Sequence, residues 1–250
     1  MNYFESINPT NGQIIKEYLA LSEDDLNEIL LNADKRFDSW KKSSVDERST
    51  YFLEIAEIID QKKNELSELL AAEMGKPIMQ GEAEIEKCAL LCKYYANNAV
   101  LFLKDDIIKT EASKSYATFQ PLGIILGIMP WNFPFWQVFR FAVPTMIAGN
   151  TILLKHAPNV LGCAKAIQQI FEESSLPNNC YNNIIITHDQ VSSLIKNKEA
   201  KKQFFSLEEI NAILFSLCEI IVFTPPFLCK VKLSGKLIFF GFKFLINIPF

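Results

Sequence analysis

The chain has 250 residues, 22% of them charged and 49% hydrophobic, enough for one large domain or two small ones with a real core. A formal charge of −4 without any clustered basic stripe argues against nucleic acid as the main partner and leaves small molecules or other proteins. The six cysteines lack paired CxxC spacing, so neither a metal site nor a disulfide framework is expected.

Residues 1–9 show no basic region followed by an apolar stretch, so no secretory signal is read and a cytoplasmic protein is expected. Residues 3–20 alternate apolar and polar around a turn at Asn8, Pro9, Thr10, Asn11 and Gly12, which predicts a hairpin. Ser22 is placed to cap a first helix, with Glu23, Asp24 and Asp25 in its first turn. Leu26, Ile29, Leu30, Ala33, Phe37 and Trp40 form one face. A second helix starts after Ser44, buries Phe52, Ile55, Ile59, Leu66 and Leu70, and stops at Gly75 and Pro77. The third runs from about residue 78 to 103, turning Ile85, Ala89, Cys92 and Tyr95 inward and leaving Glu82, Glu84 and Glu86 as solvated acids. Cys88 and Cys92, one turn apart, read as small buried hydrophobes.

The pattern then changes. Residues 115–119 read as a strand, and 122–128 are apolar enough for a strand buried on both faces of a parallel sheet. Residues 137–148 have helical spacing interrupted at Pro144 and closed by Gly149 and Asn150. Residues 151–154 are a second apolar run ending at Lys155, 158–174 are helical, and 183–187 are a third short strand. The fold class is therefore α/β: N-terminal helices followed by a partial doubly wound parallel, Rossmann-like nucleotide-binding sheet, in which ligands sit beyond the carboxyl ends of the strands.

Between Gln120 and Trp136 an apolar run stops at Pro130, and a polar amide, Asn132, stands between Trp131, Phe133 and Pro134. This reads as a buried strand ending in a rigid turn that aims one side chain; the other reading is an Asn132 that merely caps the next helix. Gly123 and Gly127 fall within the expected strand, so the usual GxGxxG phosphate fingerprint is absent. The three donors of Lys155 suit a ribose hydroxyl or a phosphate, the alternative being a solvated lysine at a strand end.

Pro130, Trp131, Asn132, Phe133 and Pro134, then Ala148, Gly149, Asn150 and Thr151, then Leu154, Lys155, His156, Ala157 and Pro158, closely resemble the aldehyde dehydrogenase superfamily and, within it, the succinate-semialdehyde dehydrogenase branch. Ile7 to Gly12, Glu73 to Pro77 and Gln120 to Gly123 match in the same order. The resemblance covers roughly residues 3 to 199 and implies that 1–199 form part of the family's N-terminal, cofactor-binding domain. It implies oxidation of an aldehyde, by way of a cysteine thiohemiacetal, with NAD or NADP as hydride acceptor. Asn132 is then the catalytic donor to the oxyanion, Pro130 and Trp131 line the cofactor side of the turn, and Lys155 bonds the adenosine ribose or its 2′-phosphate. Pro158 stands where many NAD-specific members carry a glutamate, so NADP should be tolerated beside NAD. Arg140, two helical turns after Asn132, matches a position that can grip the distal carboxylate of succinate semialdehyde; the other reading is a structural arginine. The expected partner is a small-molecule aldehyde, and the family forms homo-oligomers.

After about Lys198 the family pattern ends. The Glu-Leu-Gly-Gly segment with the general base and the nucleophilic cysteine are not found, and Cys163 and Cys180 do not match the nucleophile. Residues 204–250 hold ten of the twenty phenylalanines, so 200–250 read as a divergent tail of the kind a frameshift produces. Residues 210–229 approach the length of a bilayer span, but Glu219, Pro225 and Pro226 interrupt them and argue against one. The alternative function is a non-catalytic remnant.

Overall fold

Residues 2–109, 111, 115–196, 204–206, 229–233 and 236–238 are described by the computed structural model of the chain. Strands β1 (Tyr3–Ile7) and β2 (Ile14–Leu19) form the expected antiparallel hairpin. Its loop is held by side-chain oxygens: Asn8 Oδ1 accepts from the Thr10 N–H at 2.9 Å and Asn11 Oδ1 from the Gln13 N–H at 3.0 Å. Helix α1 (Glu23–Trp40) opens with a full capping box between Ser22 and Asp25 and buries Leu26, Ala33 and Trp40.

The single second helix expected from the sequence is two, α2 (Val45–Gln61) and α3 (Lys63–Met74). Neither Gly nor Pro marks the break. Lys62 leaves helical geometry at φ −92° and ψ 7°, and its ammonium is anchored 2.5 Å from Glu173. The chain thereby changes direction while Phe52, Ile55 and Ile59 before the break and Leu66 and Leu70 after it all reach one core. Helix α4 (Ile78–Leu103) follows Pro77 with the expected bounds.

Four parallel strands build the central sheet: β5 (Ile124–Met129), β6 (Thr151–His156), β7 (Tyr181–Asn183) and β8 (Phe204–Ser206). Their order is β7-β6-β5-β8. The chain steps outward from β5 to β6 to β7, then returns to the opposite flank of β5, so a topological switch point lies between β5 and β8. A separate antiparallel sheet joins β3 (Asp106–Ile107) and β4 (Tyr116–Pro121) to β9 (Cys229–Leu233) and β10 (Lys236–Ile238), in the order β10-β9-β4-β3. Most of the expected 200–250 tail, including nearly all of the 210–229 apolar run, lies outside the described residues. Among those described, no helix is long and apolar enough to cross a membrane.

Two strand expectations shift, and one holds. Gly123 is not in the strand: it turns the chain between β4 and β5 at φ +145°. Gly127 is in β5, where a Cβ would lie 2.5 Å from Cε1 of Phe141, so the helix behind the strand approaches to a distance only glycine permits. The third strand is Tyr181–Asn183 rather than 183–187. The ladder runs on through Ile184 N–H to Leu154 O at 2.8 Å, but the Ile185 carbonyl is taken by Leu21 N–H, also at 2.8 Å, which draws the apolar run away from β6. Helix α7 (His188–Lys196), not expected from the sequence, follows. Thr187 and Gln190 open it reciprocally, through Gln190 N–H to Thr187 Oγ1 and Thr187 N–H to Gln190 Oε1.

The sheet divides two cores. Ile125, Met129, Ile152 and Leu154 face a large cluster built from α2 to α4, α5 (Pro134–Ile147) and α6 (Leu161–Glu173); Ile124, Leu126 and Leu153 face a smaller one with α1 and α7. Helix α5 is the centre of the larger cluster, buried from Phe135 to Ile147 on nearly every side, and it runs through Pro144 without ending there. A helix so enclosed cannot satisfy its terminal carbonyls with water. Trp40 Nε1 donates to Met146 O at 2.9 Å and Arg48 Nε to Ile147 O at 2.7 Å. Asn150 then ties the helix exit to the start of β5, accepting from the Leu122 N–H at 2.6 Å and donating to Thr145 O at 3.1 Å.

Candidate active site

The loop 130–133 leaves the carboxyl end of β5 at the switch point and enters α5. Pro130, Trp131, Asn132 and Phe133 are exposed there, while Pro134 and Phe135 are buried. Asn132 does not cap the helix. The N-cap position is Phe133, which makes no side-chain cap bond, and among the described residues the Asn132 amide has no hydrogen-bond partner. The alternative of a simple capping asparagine is thereby excluded, and the amide stays available to a ligand.

Capping comes instead from Glu84 on α4. Its Oε1 accepts from both the Phe135 and Trp136 N–H groups at 2.9 Å, and its Oε2 is paired with the ammonium of Lys76. Glu84 is not the solvated acid expected from the sequence: it is 4% exposed, because the orphan amides of a buried helix end need an acceptor in the protein interior. Lys76 in turn lies 3.5 Å from the backbone carbonyl of Asn132 and 4.1 Å over the ring of Phe133. The α5 N-terminus, which a dinucleotide fold normally offers to a phosphate, already holds this carboxylate.

The same device closes α6. Glu73, also buried, accepts from Gly162 N–H through Oε1 and Cys163 N–H through Oε2, both at 2.8 Å, and from Ser6 Oγ at 2.5 Å. Sequence reading picked out Glu73, Gly75, Lys76 and Pro77 only as a turn. The signal for their role was the pairing of acids with the helix starts they cap, which no linear spacing shows.

Neighbouring residues at the end of β6 point to opposite faces. His156 has its Nδ1 accepting from the Ala157 N–H at 2.8 Å, so Nε2 carries the proton and donates to Pro134 O at 3.0 Å. Burial pushes its pKa down to about 4, which keeps the imidazole neutral while it pins the first turn of α5. Lys155, paired in register with Ile128 of β5, is 6% exposed, so it is not the solvated lysine of the alternative reading. It makes no ion pair or hydrogen bond through its ammonium among the described residues, and desolvation pulls its pKa below the usual lysine range. A partly desolvated ammonium with no protein partner among the described residues, at a strand's carboxyl end, fits a ribose hydroxyl or phosphate oxygen of a dinucleotide.

Arg140 lies on α5, half-buried, donating to Gln137 Oε1 at 2.7 Å and close enough to Tyr95 of α4 for the two to couple electrostatically. It stands in the second turn of α5, after the loop that carries Asn132. The cysteines at 88, 92, 163 and 180 are free and buried; desolvation pushes the Cys92 thiol well above the ordinary thiol range and raises Cys180 to about 12. Such thiols are inert packing groups. Among the described residues no cluster of three or more His, Cys, Asp or Glu could hold a metal.

The family profile described as "Aldehyde dehydrogenase family" matches residues 1–206. The chain belongs to that family. The match reaches through β8, beyond the end of the motif set near residue 199. Among curated relatives, a probable NADP+ succinate-semialdehyde dehydrogenase of Synechocystis sp. is 43% identical over 190 residues, spanning 76% of this chain and 42% of that protein. The NAD(P)+ succinate semialdehyde dehydrogenase Sad of Escherichia coli is 40% identical over 192 residues, spanning 77% and 42%. Among solved structures, Gox0499 superposes with a TM-score of 0.77 at 33% identity, covering 79% of this chain and 44% of that one. The succinic semialdehyde dehydrogenase of Streptococcus pyogenes, in complex with NADP+, gives 0.76 at 27% identity, covering 80% and 44%. The chain thus spans about two fifths of the length of the curated relatives it matches.

Proposed function

We propose that this chain carries the cofactor-binding part of an NAD(P)-dependent aldehyde dehydrogenase acting on succinate semialdehyde or a similar carboxylate-bearing aldehyde. The observation that carries the reading is a pair of donors at the carboxyl edge of the sheet with no protein partner among the described residues, the Asn132 amide and the Lys155 ammonium, in a chain of this family. The names of the Synechocystis and Escherichia coli relatives support the substrate class and the use of NADP.

Each residue has a physical task in this reading. Bound nicotinamide supplies the hydride acceptor. Lys155 holds the adenosine ribose or its 2′-phosphate, and no carboxylate stands at Pro158 to repel that phosphate. Pro130 and Trp131 shape the cofactor side of the turn. Asn132 donates to the oxyanion that develops at the aldehyde carbonyl; a preorganised donor of this kind is worth roughly a hundredfold or more in rate. Arg140 offers its guanidinium to the distal carboxylate of the substrate, as a fork suited to two oxygens. The free cysteines support a reducing, cytoplasmic setting.

A second reading has its own observation. The four described cysteines are buried with raised pKa values, so none of them serves as the nucleophile. In this reading the chain binds cofactor but does not turn over, as a remnant whose remaining sequence diverged. Titration of the purified chain with NADPH, followed by an assay for aldehyde-dependent NAD(P)H formation, separates the two: binding without turnover supports the remnant, and binding with turnover supports a working enzyme. Absence of both NAD and NADP binding in a folded chain would overturn the proposal. In a complete homologue, an Arg140→Ala equivalent that left the preference for succinate semialdehyde over neutral aldehydes intact would remove Arg140 from it.

A further inference from the structure

The geometry points to Lys76 and Glu84 as positioning residues that set the turn carrying Asn132, a role that rests on the reading of Asn132 as the oxyanion donor. The loop is exposed and short, and proline rings at both ends restrict φ without fixing where the amide of Asn132 points. Something inside the protein must fix the other degrees of freedom.

Two independent contacts do so, and both start from one buried ion pair. Glu84 takes the Phe135 and Trp136 N–H groups on a single oxygen, which sets the direction in which α5 begins. Lys76, neutralised by the other oxygen of Glu84, faces the Asn132 carbonyl at 3.5 Å and the Phe133 ring at 4.1 Å. The Asn132 contact is long for a hydrogen bond, so it acts chiefly as attraction between a buried cation and a carbonyl dipole, which is strong where water is excluded. Turning the carbonyl of Asn132 inward leaves its side chain to the outer face of the loop, where the amide is exposed. Lys76 comes from the segment between α3 and α4 and Glu84 from α4, so the support for the donor is supplied by residues about fifty positions before the loop they hold.

The test needs no turnover. The chain, labelled with 5-fluorotryptophan, gives three fluorine signals, from Trp40, Trp131 and Trp136, assigned by single Trp→Phe changes. Lys76→Met should shift the Trp131 signal most, because the loop loses its inward pull. Glu84→Gln should shift both Trp131 and Trp136. Trp40, distant in the core, should not move in either. Lys76→Arg, which keeps the charge, should restore the Trp131 signal most of the way. A merely structural role lowers stability without moving native signals, so unchanged Trp131 positions in folded Lys76→Met and Glu84→Gln chains would overturn the proposal. If a single change unfolds the chain, the double variant Lys76→Met/Glu84→Gln leaves no unpaired buried charge, and the same Trp131 shift is required of it. A shift obtained in a chain that binds neither NAD nor NADP would uphold this support of the loop while removing the proposed function.

Discussion

His156 shows how one residue's protonation holds a site in place. Its ring bridges Ala157 N–H and Pro134 O only when neutral with the proton on Nε2, and burial lowers its pKa from 6.5 to about 4. The unfolded chain therefore binds the proton first as pH falls. Stability from this group is fully present above pH 6.5 and is lost down to about pH 4, an effect of about 3 kcal/mol. Urea denaturation at pH 7 and pH 4.5 should show that loss, and His156→Asn should flatten it. Gly127 gives a second prediction at this scale. A methyl group there collides with Phe141, so Gly127→Ala should destabilise by about 1–3 kcal/mol, read from the denaturation midpoint. Of the proposed site residues, Asn132 and Lys155 stand out in the sequence because a proline-bracketed turn and a lysine ending an apolar run are local signals. Glu84 could not: on α4 it stands among acids spaced like a solvated face, and only the buried end of α5 gives it a task.

Element ends decide how these segments fit together. The capping box of α1 is written locally, in Ser22 and Asp25, and it is exposed, so Ser22→Ala should cost about 1 kcal/mol. The cap of α5 comes from a residue about fifty positions away and is buried with its counter-ion. Glu84→Ala strands Lys76 without a partner as well as two amides, so a loss of about 3–5 kcal/mol is expected in the same denaturation assay. The contrast explains which element bounds were legible. Helix α4 begins after Pro77 and α1 after Ser22, both at residues that carry their own signal. The break at Lys62 and the early end of β7 follow from partners elsewhere, Glu173 and Leu21, and nothing within either segment announces them.

For the molecule as a whole, the order β7-β6-β5-β8 places the Asn132 loop beside the point where the sheet reverses direction, the usual position for a ligand in such a fold. Lys155 stands at this edge as a partly desolvated cation with no protein partner among the described residues, an arrangement that costs some folding energy and would favour binding. The two effects give opposite signs in one variant. Lys155→Met should raise the unfolding free energy by about 1 kcal/mol, read from a higher denaturation midpoint, while weakening NADPH binding by roughly tenfold or more in a fluorescence titration. A structural lysine would move stability down and leave binding unchanged.

By itself the sequence determined the alternation of helix and strand and the apolar runs that become β5 and β6. It also determined the ordered motifs that place the chain in its family, because these depend on neighbours within a few residues. Only the tertiary structure decided that β8 returns beside β5 and that α5 is sealed by Trp40, Arg48 and Glu84. It alone separated Lys155, at the carboxyl edge of the sheet, from His156, turned toward the helix. Those choices depend on where buried backbone groups and charges find partners, and such partners lie far apart in the chain.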